Sequence, residues 1–165
     1  MNITTTADTF RNAMARFTNG VTAITTTENG VPFGLIATSV CSLSADPPTI
    51  LVCVNRTASA HDVILRVRRF AVNLLSANQK DVAKRFASTR GADRFDDAHW
   101  VTDRGAPVLN GCVVSLDCKV IATHNGYSHT IVVGEIIGSE THPDDSAHCL
   151  LWHQRNFASS AVTAE

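Results

Sequence analysis

Residues 34–59 read GLIATSVCSLSADPPTILVCVNRTAS, and the fold is decided by what this stretch places side by side. Thr49 to Val54 is apolar and β-branched at nearly every position, the pattern of a strand covered on both faces. A run of small polar residues with hydroxyls at Thr38, Ser39, Ser42 and Ser44 enters it, and Asn55, Arg56, Thr57 and Ser59 leave it. Pro47-Pro48 before the strand excludes a helix there. Such a layout suits a flat ligand with an anionic tail. Small residues let backbone amides approach the ligand's edge, while hydroxyls and an arginine meet the charge.

Outward from this stretch the chain reads as mostly strands. VTAITTT (21–27) alternates, and Glu28-Asn29-Gly30 is a hairpin turn whose return strand runs from Val31 to about Thr38. Before it, Phe10, Ala13, Met14 and Phe17 make one apolar helical stripe, capped by Thr6 or Asp8 and closed by Gly20. After it, Ser59 with Asp62 predicts a capped helix with Val63, Ile64 and Val67 inward, and Phe70 to Leu75 predicts a strand. Ser76 with Gln79 forms a capping box for a helix that buries Val82, Ala83 and Phe86. Ser88 to Asn110 is the least regular segment and is expected to be a mobile loop. Gly111 to Thr123 is a long strand with Cys112, Val114, Leu116, Cys118, Val120 and Ala122 on one face. A turn at His124-Asn125-Gly126 leads into a second strand, Thr130 to Ile137, and Cys149 to Phe157 is a last apolar segment.

This pattern amounts to about six strands and three short helices, joined mainly by hairpins. The regular strand–helix alternation of a doubly wound sheet is missing, so a mainly β, α+β chain forming a nearly closed antiparallel barrel with helices outside is expected. The 165 residues are expected to form one domain, with a core from about residue 8 to 158.

Composition excludes several classes. The chain is 44% hydrophobic and 18% charged with a net charge of -1, so no basic stripe exists to bind nucleic acid. It has no run of the roughly 18 apolar residues that a membrane span needs, and its start lacks the pattern of a signal peptide. The five cysteines are never spaced as CxxC; they read as buried thiols of a cytoplasmic protein, with Cys41 and Cys53 as packing residues. The seven histidines offer no metal spacing, so no metal is expected. Neither GxGxxG nor GxxxxGK[ST] occurs, so any nicotinamide nucleotide binds outside a Rossmann fold.

The ordered set of motifs resembles the flavin reductase family. Gly34 to Ser44 followed by Pro47-Pro48 and Val52-Cys53-Val54-Asn55 carries the likeness, with Phe10-Arg11-Asn12-Ala13-Met14 and Gly20-Val21-Thr22 before it. Asn73-Leu74-Leu75, Gln79, Phe86-Ala87, Arg94-Phe95, Pro107-Val108-Leu109 and Gly134-Glu135 continue it in order. Most similar are the reductase components of two-component flavin-dependent monooxygenases, such as the 4-hydroxyphenylacetate 3-monooxygenase reductases.

The resemblance implies a Greek-key split β-barrel, a homodimer, and an NAD(P)H-dependent enzyme that reduces FMN or FAD for a separate monooxygenase component. It places the flavin along Ala37, Thr38, Ser39, Val40, Ser42 and Ser44, with its phosphate near Asn55, Arg56, Thr57 and Ser59. Phe86, Ala87, Ser88 and Arg94 are implied to complete that side. His129 is implied as the catalytic residue on the nicotinamide side, with Trp152 and Arg155 nearby. The turn Gly126-Tyr127-Ser128-His129 is one residue longer than the family's Gly-Asp-His or Gly-Thr-His, and Ile36 stands where relatives more often carry Thr. Two alternatives are a flavin-binding module without turnover and a reductase with bound flavin acting on another acceptor, such as a cobalt corrinoid.

Overall fold

The computed structural model describes residues 6–96, 99–103, 105–144 and 147–161. Its elements, in chain order, begin with α1 (Ala7–Met14), β1 (Asn19–Gly20), β2 (Thr22–Glu28), β3 (Val31–Ala37), β4 (Val40–Ala45), β5 (Pro48–Asn55), α2 (His61–Val67) and β6 (Arg69–Leu74). A 3-10 turn (Ala77–Gln79) then opens α3 (Lys80–Ser88), and a second 3-10 turn spans Gly91–Phe95. The chain continues through β7 (Trp100–Val101), β8 (Val108–Leu109), β9 (Val114–Gly126), β10 (His129–Thr141), β11 (Leu150–His153) and β12 (Asn156–Ser159).

Seven strands form one sheet in the order β3-β2-β6-β9-β10-β5-β4, and every pairing in it is antiparallel. The strands at its two ends, β3 and β4, are consecutive in the chain and separated only by Thr38 and Ser39. A two-residue link can join the two ends only if the sheet curls until they nearly meet. That is the expected split barrel. A second small sheet has the order β1-β11-β12, and β7 pairs with β8 in a third.

The local chemistry of the turns explains the hairpins. Asn29 (φ 51°) and Gly30 (φ 78°) both adopt the left-handed conformation that a two-residue β2–β3 turn requires. Ser76 and Gln79 make the expected reciprocal capping box, and Ala83 and Phe86 of α3 are buried as predicted. The barrel core gathers Ile24, Val52, Val54, Ile64, Phe70, Cys118, Val120 and Val132; burying a side chain such as Phe70 contributes roughly 1.5–3 kcal/mol. A second cluster around Val21, Leu75, Ala83 and Leu150 is packed by Trp100 and Trp152.

Several expectations are corrected. The small-residue loop is for the most part strand β4, which pairs only with β5 and leaves most of its residues exposed. Strand β5 is not covered on both faces: Ile50, Val52 and Val54 are buried while Leu51 and Cys53 are half-buried. The hairpin between β9 and β10 turns at Tyr127-Ser128, beyond the predicted 124–126, with Tyr127 in the left-handed region (φ 60°). No Ser59–Asp62 capping pair forms, because α2 starts after Ala60 without a side-chain cap and Asp62 pairs with His61 instead. Helix α1 is capped by Thr6 but ends at Ala15, short of Gly20. Its apolar stripe lies open, with Phe10 58%, Met14 43% and Phe17 60% exposed.

Candidate functional site

A groove of about 700 Å³ runs over the outer face of the barrel beside the β3–β4 link. Its walls come from the link and the start of β4 (Thr38, Ser39, Val40, Cys41), from Leu51 of β5, from His129 at the start of β10, and from Trp152 and Arg155 of the last hairpin. Phe10, Arg11 and Met14 of α1 close the remaining side.

Each wall is fixed by its neighbours. The Cys53 amide donates to the Ser39 carbonyl at 3.0 Å. Along an antiparallel edge the backbone groups alternate in direction, so the Val40 amide turns away from β5. The Thr38 and Ser39 hydroxyls have no hydrogen-bond partner among the described residues. Both are therefore available to a ligand.

His129 is held from two directions. Its Nδ1 lies 2.9 Å from Ser128 Oγ, and its carbonyl accepts from Arg56 Nε at 3.3 Å. Arg56 also donates from Nη2 to Asn125 Oδ1 at 3.0 Å, and its own amide donates to the Ser128 carbonyl at 3.1 Å. Asn55 Oδ1 accepts from the Thr57 amide and hydroxyl, both at 2.9 Å, which shapes the exit from β5. The strand exit and the His129 hairpin thus form one connected surface beside the groove.

The remaining predicted residues fall into two groups. Ala37 is buried, its carbonyl taken by Thr22 Oγ1 at 2.6 Å. Ser44 uses its hydroxyl on its own turn, donating to the Asp46 carbonyl and accepting from the Asp46 amide. Ser42 and Ser59 do not line the groove. Phe86, Ala87, Ser88 and Arg94 also lie off it. Phe86 packs edge-on against Phe95 with ring centroids 5.3 Å apart, and Arg94 Nη1 donates to the Gly34 carbonyl at 2.6 Å. Burial, with Arg90 nearby, pushes the Arg94 guanidinium below its ordinary range.

Sequence reasoning missed three contributors. The Phe10–Met14 face of α1, legible from periodicity only as an apolar stripe, lines the groove. Cys41, expected to pack inside, is exposed on the same groove. His61 is buried, with Nδ1 at 2.6 Å from Asp62 and Nε2 at 2.8 Å from Thr130 Oγ1, so it ties α2 to the residue after His129.

A family profile described as "Flavin reductase like domain" matches residues 14–161. The chain belongs to this family. It is 38% identical over 141 residues to the FMN reductase (NADH) SmoA of Agrobacterium fabrum, covering 85% of this chain and 79% of that protein. It is 33% identical over 150 residues to HsaB of Mycobacterium tuberculosis, the reductase subunit of a flavin-dependent monooxygenase, covering 90% and 80%. Among solved structures, the NADH:FAD oxidoreductase SgcE6 of Streptomyces globisporus superposes with a TM-score of 0.88 at 32% identity, over 98% of this chain and 99% of that one.

Proposed function

We propose that the chain is an NAD(P)H-dependent flavin reductase that binds FMN or FAD in the groove and delivers reduced flavin to a separate monooxygenase component. The observation that carries this reading is the meeting of the Thr38–Val40 bend and His129 in one groove, beside the Arg56 surface. A volume of about 700 Å³ is within the ordinary range of roughly 300–1,000 Å³ for small-molecule sites, and the unengaged Thr38 and Ser39 hydroxyls suit the polar edge of a flavin ring.

A flavin held there would supply the hydride acceptor, and the groove would have to meet the negative charge that reduction puts on one edge of its ring. The outward Val40 amide and the Thr38 and Ser39 hydroxyls are fixed donors toward that edge, already oriented before any charge develops. Arg56 supplies positive charge for the flavin phosphate, with the Thr57 and Ser59 hydroxyls next to it in the chain. His129 holds the nicotinamide, and Trp152 supplies an apolar wall for it. Bringing the two rings into contact is the protein's main contribution.

HsaB's description as a monooxygenase reductase subunit supports an oxygenase partner. The open stripe of Phe10 and Phe17 supports a homodimer. Five free thiols support a reducing, cytoplasmic setting, and no helix among the described residues is long and apolar enough to cross a membrane. The test is anaerobic mixing of the purified chain with FMN and NADH or NADPH while following dihydronicotinamide absorbance. Flavin-dependent loss of that absorbance is expected; its absence with every flavin and nucleotide pair would reject the proposal.

A further inference from the structure

His61 opens α2, is only 7% exposed and does not line the groove. Both of its ring nitrogens are engaged. Nδ1 lies 2.6 Å from Asp62 Oδ1, and Nε2 lies 2.8 Å from Thr130 Oγ1. An ionised carboxylate only accepts, so Nδ1 carries the hydrogen, and in the neutral ring Nε2 accepts from the Thr130 hydroxyl. Asp62 therefore fixes the tautomer, and the tautomer fixes which way the Thr130 hydroxyl points.

Thr130 follows His129 in β10 and is as buried as His61. Successive residues of a strand face opposite ways, so Thr130 turns inward where His129 lines the groove. A shift or twist of the backbone at this point moves both. The segment between β5 and α2 grips three successive residues here. The Arg56 amide donates to the Ser128 carbonyl at 3.1 Å, Arg56 Nε donates to the His129 carbonyl at 3.3 Å, and His61 meets Thr130. The segment is itself folded, since the Ala58 amide donates to the Asn55 carbonyl at 3.0 Å and the His61 amide to the Ala58 carbonyl at 2.9 Å. Arg56 is exposed, whereas His61 and Thr130 are buried, so water does not compete for the bond between them.

We propose that His61 is a positioning residue for the hydride-transfer step: through Thr130 it holds the His129 imidazole in register with the Arg56 segment. The inference rests on the reading of the groove above, with His129 at the nicotinamide and Arg56 at the flavin phosphate. A purely structural role would only anchor α2, a task that the buried Val63 and Ile64 already share. That role predicts a lower melting temperature, with kinetics measured well below it unchanged.

The test is a double-mutant cycle between Thr130→Val and His129→Ala in the full chain, with FMN and NADH. Valine keeps the branched shape of threonine and deletes only the hydroxyl. On its own, Thr130→Val is expected to raise the KM for NADH roughly threefold and to slow flavin reduction, the scale of one lost hydrogen bond, with FMN affinity within about twofold of wild type. In the His129→Ala background the same change is expected to have no further effect, because the ring being positioned is gone. His61→Leu is expected to reproduce the Thr130→Val pattern, and His61→Gln, whose amide can reach the Thr130 hydroxyl, to recover most of the loss. In the ligand-free protein the NMR resonances of the His129 ring are expected to shift in Thr130→Val. Equal losses in both backgrounds would overturn the proposal, and so would NADH kinetics or His129 ring resonances that Thr130→Val leaves unchanged. Wild-type kinetics in His129→Ala would instead defeat the groove reading, and the proposal with it.

Discussion

The Arg56 guanidinium donates from Nε to the main-chain carbonyl of His129 at 3.3 Å, joining the exit of β5 to the start of β10. One side chain therefore has two tasks: it supplies charge beside the groove and fixes the backbone that carries the histidine. Replacing it tests both. Arg56→Ala is expected to weaken FMN by about tenfold or more, the scale of a charge-assisted contact, and riboflavin far less, since riboflavin has no phosphate. Fluorescence titration of both flavins decides this. Equal losses would place Arg56 away from the phosphate.

His129→Ala removes the imidazole from the groove wall without touching the Thr38–Val40 bend. The expected outcome is a KM for the nicotinamide raised by roughly fivefold or more and slower flavin reduction, with flavin affinity retained. Stopped-flow reduction under anaerobic conditions measures both quantities. Wild-type kinetics in this variant would remove His129 from the site.

Gly134 lies where β10 crosses Phe70. A Cβ at that position would come within 2.6 Å of Phe70 Cζ and 3.2 Å of Cys118 Cβ, both inside the core. Gly134→Ala is expected to cost about 1–3 kcal/mol by overpacking, read from the shift in a denaturant midpoint. A neutral result would mean that the ring yields freely.

Burial, reinforced by the neighbouring Asp117 charge, pushes the Cys118 thiol up to about 12. Unfolding returns it to its ordinary value, near 8.5. Between those values the unfolded chain releases a proton that the folded chain keeps, so stability falls as pH rises from about 9, by at most ~1.4 kcal/mol per pH unit for this one group. Cys112, also raised by burial, adds a loss of the same sign. Cys118→Ala is expected to start less stable at neutral pH and to decline less steeply above it. Parallel pH profiles for the two proteins would contradict this assignment.

What could be read from the sequence was whatever local chemistry fixes. Asn29-Gly30 and the Ser76–Gln79 box are each set by residues a few positions apart, and both form as expected. Strand β4 was legible only as a polar run, because an edge strand exposing most of its residues loses the apolar alternation that marks a strand. Asn125-Gly126 looks like the turn, yet the Asn125 side chain caps one residue further on, accepting from the Tyr127 amide at 3.1 Å, and the strand runs through it.

The site divides along the same line. Thr38, Ser39 and His129 were found through the family motif, and the structure brings them together across distant parts of the chain. Phe10 and Met14 were not, because a helical stripe tells which face is apolar and not what lies against it. Asn73 was out of reach as an organiser: it is fully buried, donates to the Ala23 carbonyl, and accepts from the Leu109 amide and Ser115 hydroxyl, three partners far away in sequence.

The central claim is that the Thr38–Val40 bend seats the flavin ring, and Ser39→Trp tests it most directly. Ser39 is exposed on the groove, so an indole there fills the site while leaving the barrel core untouched. FMN titration of this variant, alongside a thermal melt, is expected to show binding reduced beyond measurement with an unchanged midpoint. Wild-type FMN affinity in a folded Ser39→Trp protein would show that the flavin sits elsewhere.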